Sequence, residues 1–141
     1  MKKVLVATDG SEHAEKALRW ALDYGRRCGA ELHVVTVVPA LTPIPGSPGI
    51  PEYDRYMEAA LAEAERLLAG IRERLAEGGA AVQVHSGTGR PSQEILRTAE
   101  SIGADLIVVG SRGLSRLEGA ILGSVSTEVV HLSRIPVVVV R

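Results

Sequence analysis

The sequence predicts an α/β protein built on a single doubly wound, five-stranded parallel sheet in the order 3-2-1-4-5, a Rossmann-like arrangement with helices on both faces. Three observations predict it. Short β-branched runs alternate with helix-periodic segments in the order β-α-β-α-β-α-β-α-β. Two of those runs, "KVLVA" (3–7) and "ADLIVVG" (104–110), are apolar without alternation, as strands buried on both faces are. Placing these two at the centre yields the order 3-2-1-4-5. The chain of 141 residues, 45% of them hydrophobic, is long enough for one domain spanning 1–141 and apolar enough to fill its core.

The elements follow in turn. β1 is "KVLVA" (3–7), stopped by Thr8-Asp9-Gly10. The helix α1 follows Ser11, its expected N-cap, with Glu12 and Glu15 in the first turn where the helix dipole favours anions. Ala14, Ala17, Leu18, Ala21 and Leu22 recur at helical spacing, and Gly29 is the expected C-cap. β2 is "ELHVVTVV" (31–38). The thirteen residues 39–51 hold five prolines and two glycines, which predicts a mobile loop. A long amphipathic helix α2 covers 52–79, with Met57, Ala60, Leu61, Ala64, Leu67, Leu68, Ile71 and Leu75 as a stripe assigned to the core. "AAVQVHSG" (80–87) alternates and is expected to be the edge strand β3. The segment 90–103, with Pro91 just inside its start, is α3. After β4 (104–110) come α4 (124–134) and a closing strand β5 in "IPVVVVR" (135–141). The crossovers are expected to be right-handed.

Composition excludes several function classes. A net charge of -1 provides no basic excess for nucleic acid or an anionic membrane. The single cysteine, Cys28, allows no internal disulfide, and no His/Cys spacing suits zinc. The apolar run after Lys2-Lys3 breaks at Thr8, too short for a signal peptide, and nothing approaches a membrane span. A cytoplasmic protein is the expectation.

In doubly wound sheets, ligands bind beyond the C-terminal strand ends where the strand order reverses, here between β1 and β4. Two features fall at that point: "ATDGS" (7–11) after β1, and "VVGSRGLSRLEGAILGSV" (108–125) after β4. Gly110 lets the chain turn close to a ligand, and Gly113 permits a second unusual backbone angle. Gly123-Ser124 opens α4, whose first-turn N–H groups and dipole form an anion site, with the Ser124 and Ser126 hydroxyls as further donors. The Gly-Lys-Ser/Thr ending of a P-loop is missing. A carboxylate at Asp9 beside a phosphate chain requires Mg²⁺ between them or bonds to ribose hydroxyls; otherwise Asp9 only shapes the turn. Arg112 and Arg116 are the cations nearest the glycines.

The spacing Gly110-x2-Gly113-x9-Gly123-Ser124 resembles the nucleotide motif of the ATP-binding branch of the universal stress protein family. The likeness extends to "VATDGSEHAEKAL" and the closing "IPVVVV". The resemblance implies roles by position. Ala7, Thr8 and Asp9 would lie at the ribose and the phosphate-bound Mg²⁺, with Asp9 as the metal's protein contact. Val37 would contact adenine through its backbone. Val109, Gly110, Arg112 and Gly113 would wrap the ribose and phosphates, and Gly123, Ser124, Val125 and Ser126 would cradle the phosphates.

Other constellations carry less. No Gly-x-Ser-x-Gly elbow exists. His13, His33, His85 and His131 are scattered and read as surface or packing residues. "SGTGRPS" lacks the third dinucleotide glycine and reads as a turn into α3, away from the switch point. β5 is apolar on both faces at the sheet edge, so pairing of 136–140 with a second copy would protect it, and the family resemblance agrees. Three functions compete: an ATP-operated regulatory module acting on an unidentified protein partner; a slow ATPase or adenylyl-transfer enzyme; and a structural dimer whose glycines hold nothing. "TDGSEHA" matches neither the Ser-Gly-Gly-x-Asp-Ser nor the His-x-Gly-His loop of adenylyl-transfer enzymes.

Overall fold

The computed structural model describes residues 2–40, 45–46, 48–49, 52–112 and 122–141. The loop expected over 39–51 lies partly outside these residues, and Gly113 and Arg116 wholly so. The elements run β1 (Lys3–Ala7), α1 (Glu12–Cys28), β2 (Glu31–Pro39), α2 (Tyr53–Glu77), β3 (Val82–Gly89), α3 (Pro91–Ile102), β4 (Leu106–Gly110), α4 (Ser124–Leu132) and β5 (Val137–Val140). The five strands form one sheet in the order β3-β2-β1-β4-β5, and every pairing is parallel.

Strand alternation divides the core into two layers. Val4, Val6, Leu32, Val34, Val82 and Val108 face Ala17, Leu18 and Ala21 of α1 and Leu68, Ile71 and Leu75 of α2. The intervening residues Leu5, Val35, Ile107 and Val109 face Ile95 and Ala99 of α3 and Val129 of α4. A strand with helices on both sides must be apolar at successive positions, which is why "KVLVA" and "LIVVG" lack alternation.

Boundaries differ from expectation where pairing or turn chemistry takes over. β3 runs to Gly89 because it stays in register with β2, Val37 opposite Gly87 and Pro39 opposite Gly89. β4 starts at Leu106, since the Ala104 N–H still caps α3 through the Ala99 carbonyl. α4 stops at Leu132: the Ser133 hydroxyl closes a turn on Ile135, and Pro136 holds the preceding residue out of helix.

Candidate functional site

Above the C-terminal strand ends lies a cavity of about 600 Å³, within the usual range for small-molecule sites. Its floor begins at the turn after β1. Gly10 has φ +80°, which glycine adopts without strain. The Thr8 hydroxyl accepts from the Gly10 N–H (3.2 Å), and Asp9 Oδ1 accepts from the Ser11 N–H (2.9 Å). Ser11 caps α1 by accepting from the Ala14 N–H (3.2 Å). The turn is thus built by its own side chains, and Asp9 both shapes it and lines the cavity.

β2 provides a wall with an exposed backbone edge. β1 pairing ends at Ala7 opposite Val35, whose carbonyl accepts from the Thr8 N–H (2.9 Å). Backbone groups alternate sides along a strand, so the N–H and C=O of Val37 point the same way as those of Val35, past the end of β1. They offer one donor and one acceptor to a planar polar edge. Val35, Val38, Pro39, Ile95, Leu67 and Val109 surround them with apolar surface.

The opposite end is polar. The Gly123 N–H donates to the Ser111 carbonyl (2.6 Å), drawing the start of α4 against the end of β4. Among the described residues no side chain caps α4, and its first turn holds no acidic residue. The N–H groups of Ser124, Val125 and Ser126 have no intrahelical acceptor and carry the positive end of the helix dipole. The Ser126 hydroxyl, expected as a donor to ligand, instead donates within 3.2 Å of the Ser111 carbonyl and 3.0 Å of the Gly123 carbonyl. Ser126 therefore offers its backbone rather than its hydroxyl.

Ala7, Thr8, Asp9, Val37, Val109, Gly110, Arg112, Gly123, Ser124, Val125 and Ser126 all line this one cavity; Gly113 lies outside the described residues. Gly110 has a second constraint that the sequence did not reveal. A Cβ there would stand 2.8 Å from the His13 carbonyl oxygen of α1. Among the described residues no cluster of His, Cys, Asp and Glu could enclose a metal ion.

Two readings require correction. The α2 stripe is not all core: Ala64, Leu68, Ile71 and Leu75 are buried, but Ala60, Ala64 and Leu67, with Tyr56, Ala59 and Glu63, line the cavity. Length explains this. The 25 residues of α2 span about 37 Å, whereas the 9 residues of β2 span about 30 Å. The first turns of α2 therefore rise above the strand ends. The turn into α3 is also nearer the site than expected, since Pro91 and Ile95 line the cavity. Length mismatch between a helix and its sheet was the available signal for the first.

Two histidines also prove to be joined. His33, 2% exposed, lies with Nδ1 2.9 Å from His85 Nε2 and Nε2 2.7 Å from Glu31 Oε1. Desolvation, then the neighbouring His33, push the His85 pKa down.

The chain matches the Universal stress protein family over residues 1–141. Universal stress protein YxiE of Bacillus subtilis is 38% identical, the match covering 99% of this chain and 98% of that one. The solved structure of MJ0577 superposes with a TM-score of 0.81 at 31% identity, covering 99% of this chain and 94% of that one. A universal stress protein solved in complex with cAMP has a TM-score of 0.62 at 27% identity, covering 99% and 96%.

Proposed function

The chain belongs to the universal stress protein family, and from that premise we propose that it is a regulatory module of the ATP-binding branch, operated by an adenine nucleotide. One observation carries the reading: every motif residue among the described ones lines a single cavity, apolar at the β2 end and donor-rich at the α4 end. That polarity suits a nucleotide. The flat base lies between Val35, Val38, Pro39 and α2, with its edge on the Val37 backbone. The phosphates lie against the N–H groups of Ser124, Val125 and Ser126, with Arg112 also on the cavity wall. The cAMP-bound relative supports the class of ligand.

Asp9 fits a Mg²⁺ role. Magnesium is usually held by one or two carboxylates together with phosphate oxygens and water, and needs no protein cage. Bound there, it would offset the charge between Asp9 and the phosphates. The module is further proposed to be cytoplasmic, to form a homodimer through 136–140, and to act on a protein partner according to its nucleotide state.

Isothermal titration with ATP and Mg²⁺ tests the reading. Saturable heat is expected; no heat at millimolar ATP refutes it. A mass spectrum of small molecules carried through purification is expected to contain an adenine nucleotide.

A further inference from the structure

Two helices begin on the cavity wall: α3 at Pro91 and α4 at Ser124. A carboxylate ties their starts together. Glu128, one turn into α4, accepts from the Arg90 guanidinium at Oε1 (2.6 Å) and from the Ser92 hydroxyl at Oε2. Ser92 is 1% exposed, so its hydroxyl is committed to this contact within the protein. The two oxygens of one carboxylate thus take two donors from the start of α3. A two-point, charge-assisted hold fixes orientation as well as distance. The carboxylate also lies near the positive end of α3, which favours it further. These bonds, that from Arg90 first, hold Glu128 below the usual carboxylate range.

The second anchor of α4 is the bond from the Gly123 N–H to the Ser111 carbonyl. Ser124, Val125 and Ser126 lie between these two fixed points. The Ser126 hydroxyl on the same carbonyl and the buried Val129 also hold α4 on the β4 side; Glu128 adds the hold from the start of α3 that sets its orientation. Hydrogen bonds weaken steeply as they lose alignment, so small rotations of α4 matter to an anion at its end.

We propose that Glu128 is a positioning residue for the anion end of the cavity, aiming the α4 N–H groups through its contacts with Arg90 and Ser92. This rests on the nucleotide reading above. Glu128 bonds the start of α3, whereas the base end stands on β2 and α2 with Ile95 and Val109 beside them, so the larger effect is expected at the phosphate.

The test is calorimetric titration of ATP, AMP and adenosine, at fixed Mg²⁺, into wild type, Glu128→Ala and Glu128→Gln. Glu128→Ala is expected to lower ATP affinity about tenfold or more, with adenosine affinity changed less than about twofold. AMP falls between. Glu128→Gln, which keeps an acceptor for one donor, recovers part of the loss, and it carries the same comparison if the alanine variant does not fold. Equal losses for all three ligands, or no loss of ATP affinity, overturn the proposal. Wild type that binds none of the three overturns the nucleotide reading, and this inference with it. Wild type that binds normally beside indifferent Glu128 variants removes this inference alone.

Discussion

Gly110→Ala is expected to destabilise the protein before any ligand is added. A Cβ at that position would stand 2.8 Å from the His13 carbonyl oxygen, 2.9 Å from the His13 carbonyl carbon and 3.2 Å from the Ala14 nitrogen. All three are backbone atoms in the first turn of α1, and none can rotate away as a side chain can. That turn is pinned by the Ser11 cap and, through Asp9, by the end of β1. On the other side, β4 is held between β1 and β5. Relief thus requires moving a helix against a central strand, and overpacking of this kind costs about 1–3 kcal/mol. Gly110 does not have positive φ, so alanine also restricts the unfolded chain, offsetting about 0.4–1 kcal/mol. The midpoints of the two ranges leave a net loss of about 1.3 kcal/mol. For a chain of 141 residues this lowers Tm by about 3–8 °C. Scanning calorimetry of the nucleotide-free variant measures it. A Tm equal to or above wild type would refute the packing argument and return Gly110 to a role in ligand approach alone.

Gly123 differs: its φ of -69° and ψ of 165° suit any residue, so its use is tied to the space beside it. Gly123→Val is expected to abolish ATP binding in titration; undiminished affinity would contradict the assignment of the phosphate end. Asp9→Ala is expected to weaken ATP binding more with Mg²⁺ than without it, and equal losses would remove the metal role. The His33–His85 pair predicts a pH dependence of stability. His85 has its folded pKa lowered, so the unfolded chain takes up the proton first, and stability present above about pH 6.5 is lost as pH falls below it. Urea titrations at about pH 7.5 and 5.5 are expected to show wild type losing more stability than His85→Gln; identical losses would exclude the pair as the cause.

The fold was readable because its strands are buried on two faces. β1 and β4 announce their central position by apolar residues at consecutive positions, and β3 announces its edge by alternation. The residues that line the cavity were readable because glycines and a short acid mark the turns at the strand ends. What escaped depends on distances between elements. Nothing in the sequence places the His13 backbone against Gly110, or turns the Ser126 hydroxyl back to Ser111. The α2 stripe has one periodicity throughout, yet its upper half outruns the sheet and faces the cavity. The His33–His85 contact arises from register, His33 opposite Gln83 and Val35 opposite His85 on adjacent strands, which composition does not encode.

The helix starts themselves argue for where an anion belongs. In a parallel α/β sheet every helix begins at the strand C-terminal ends, so each presents a positive end there. The first turn of α1 holds Glu12 and Glu15 and is capped by Ser11. That of α2 holds Asp54, and that of α3 holds Glu94 and receives the Glu128 carboxylate on Ser92. Each of these dipoles already has a carboxylate near it. α4 has no acid in its first turn and, among the described residues, no side-chain cap. Its start is Gly123-Ser124-Val125-Ser126, with small residues on either side of Val125. A glycine at the N-cap in place of Ser, Thr or Asp costs only a few tenths of a kcal/mol, so α4 can begin at Gly123 with its first N–H groups left open. Among the described residues α2 and α3 also lack a side-chain cap, but each has an acid in its first turn; α4 has neither, and it opens on the cavity wall, where an external anion can complete it.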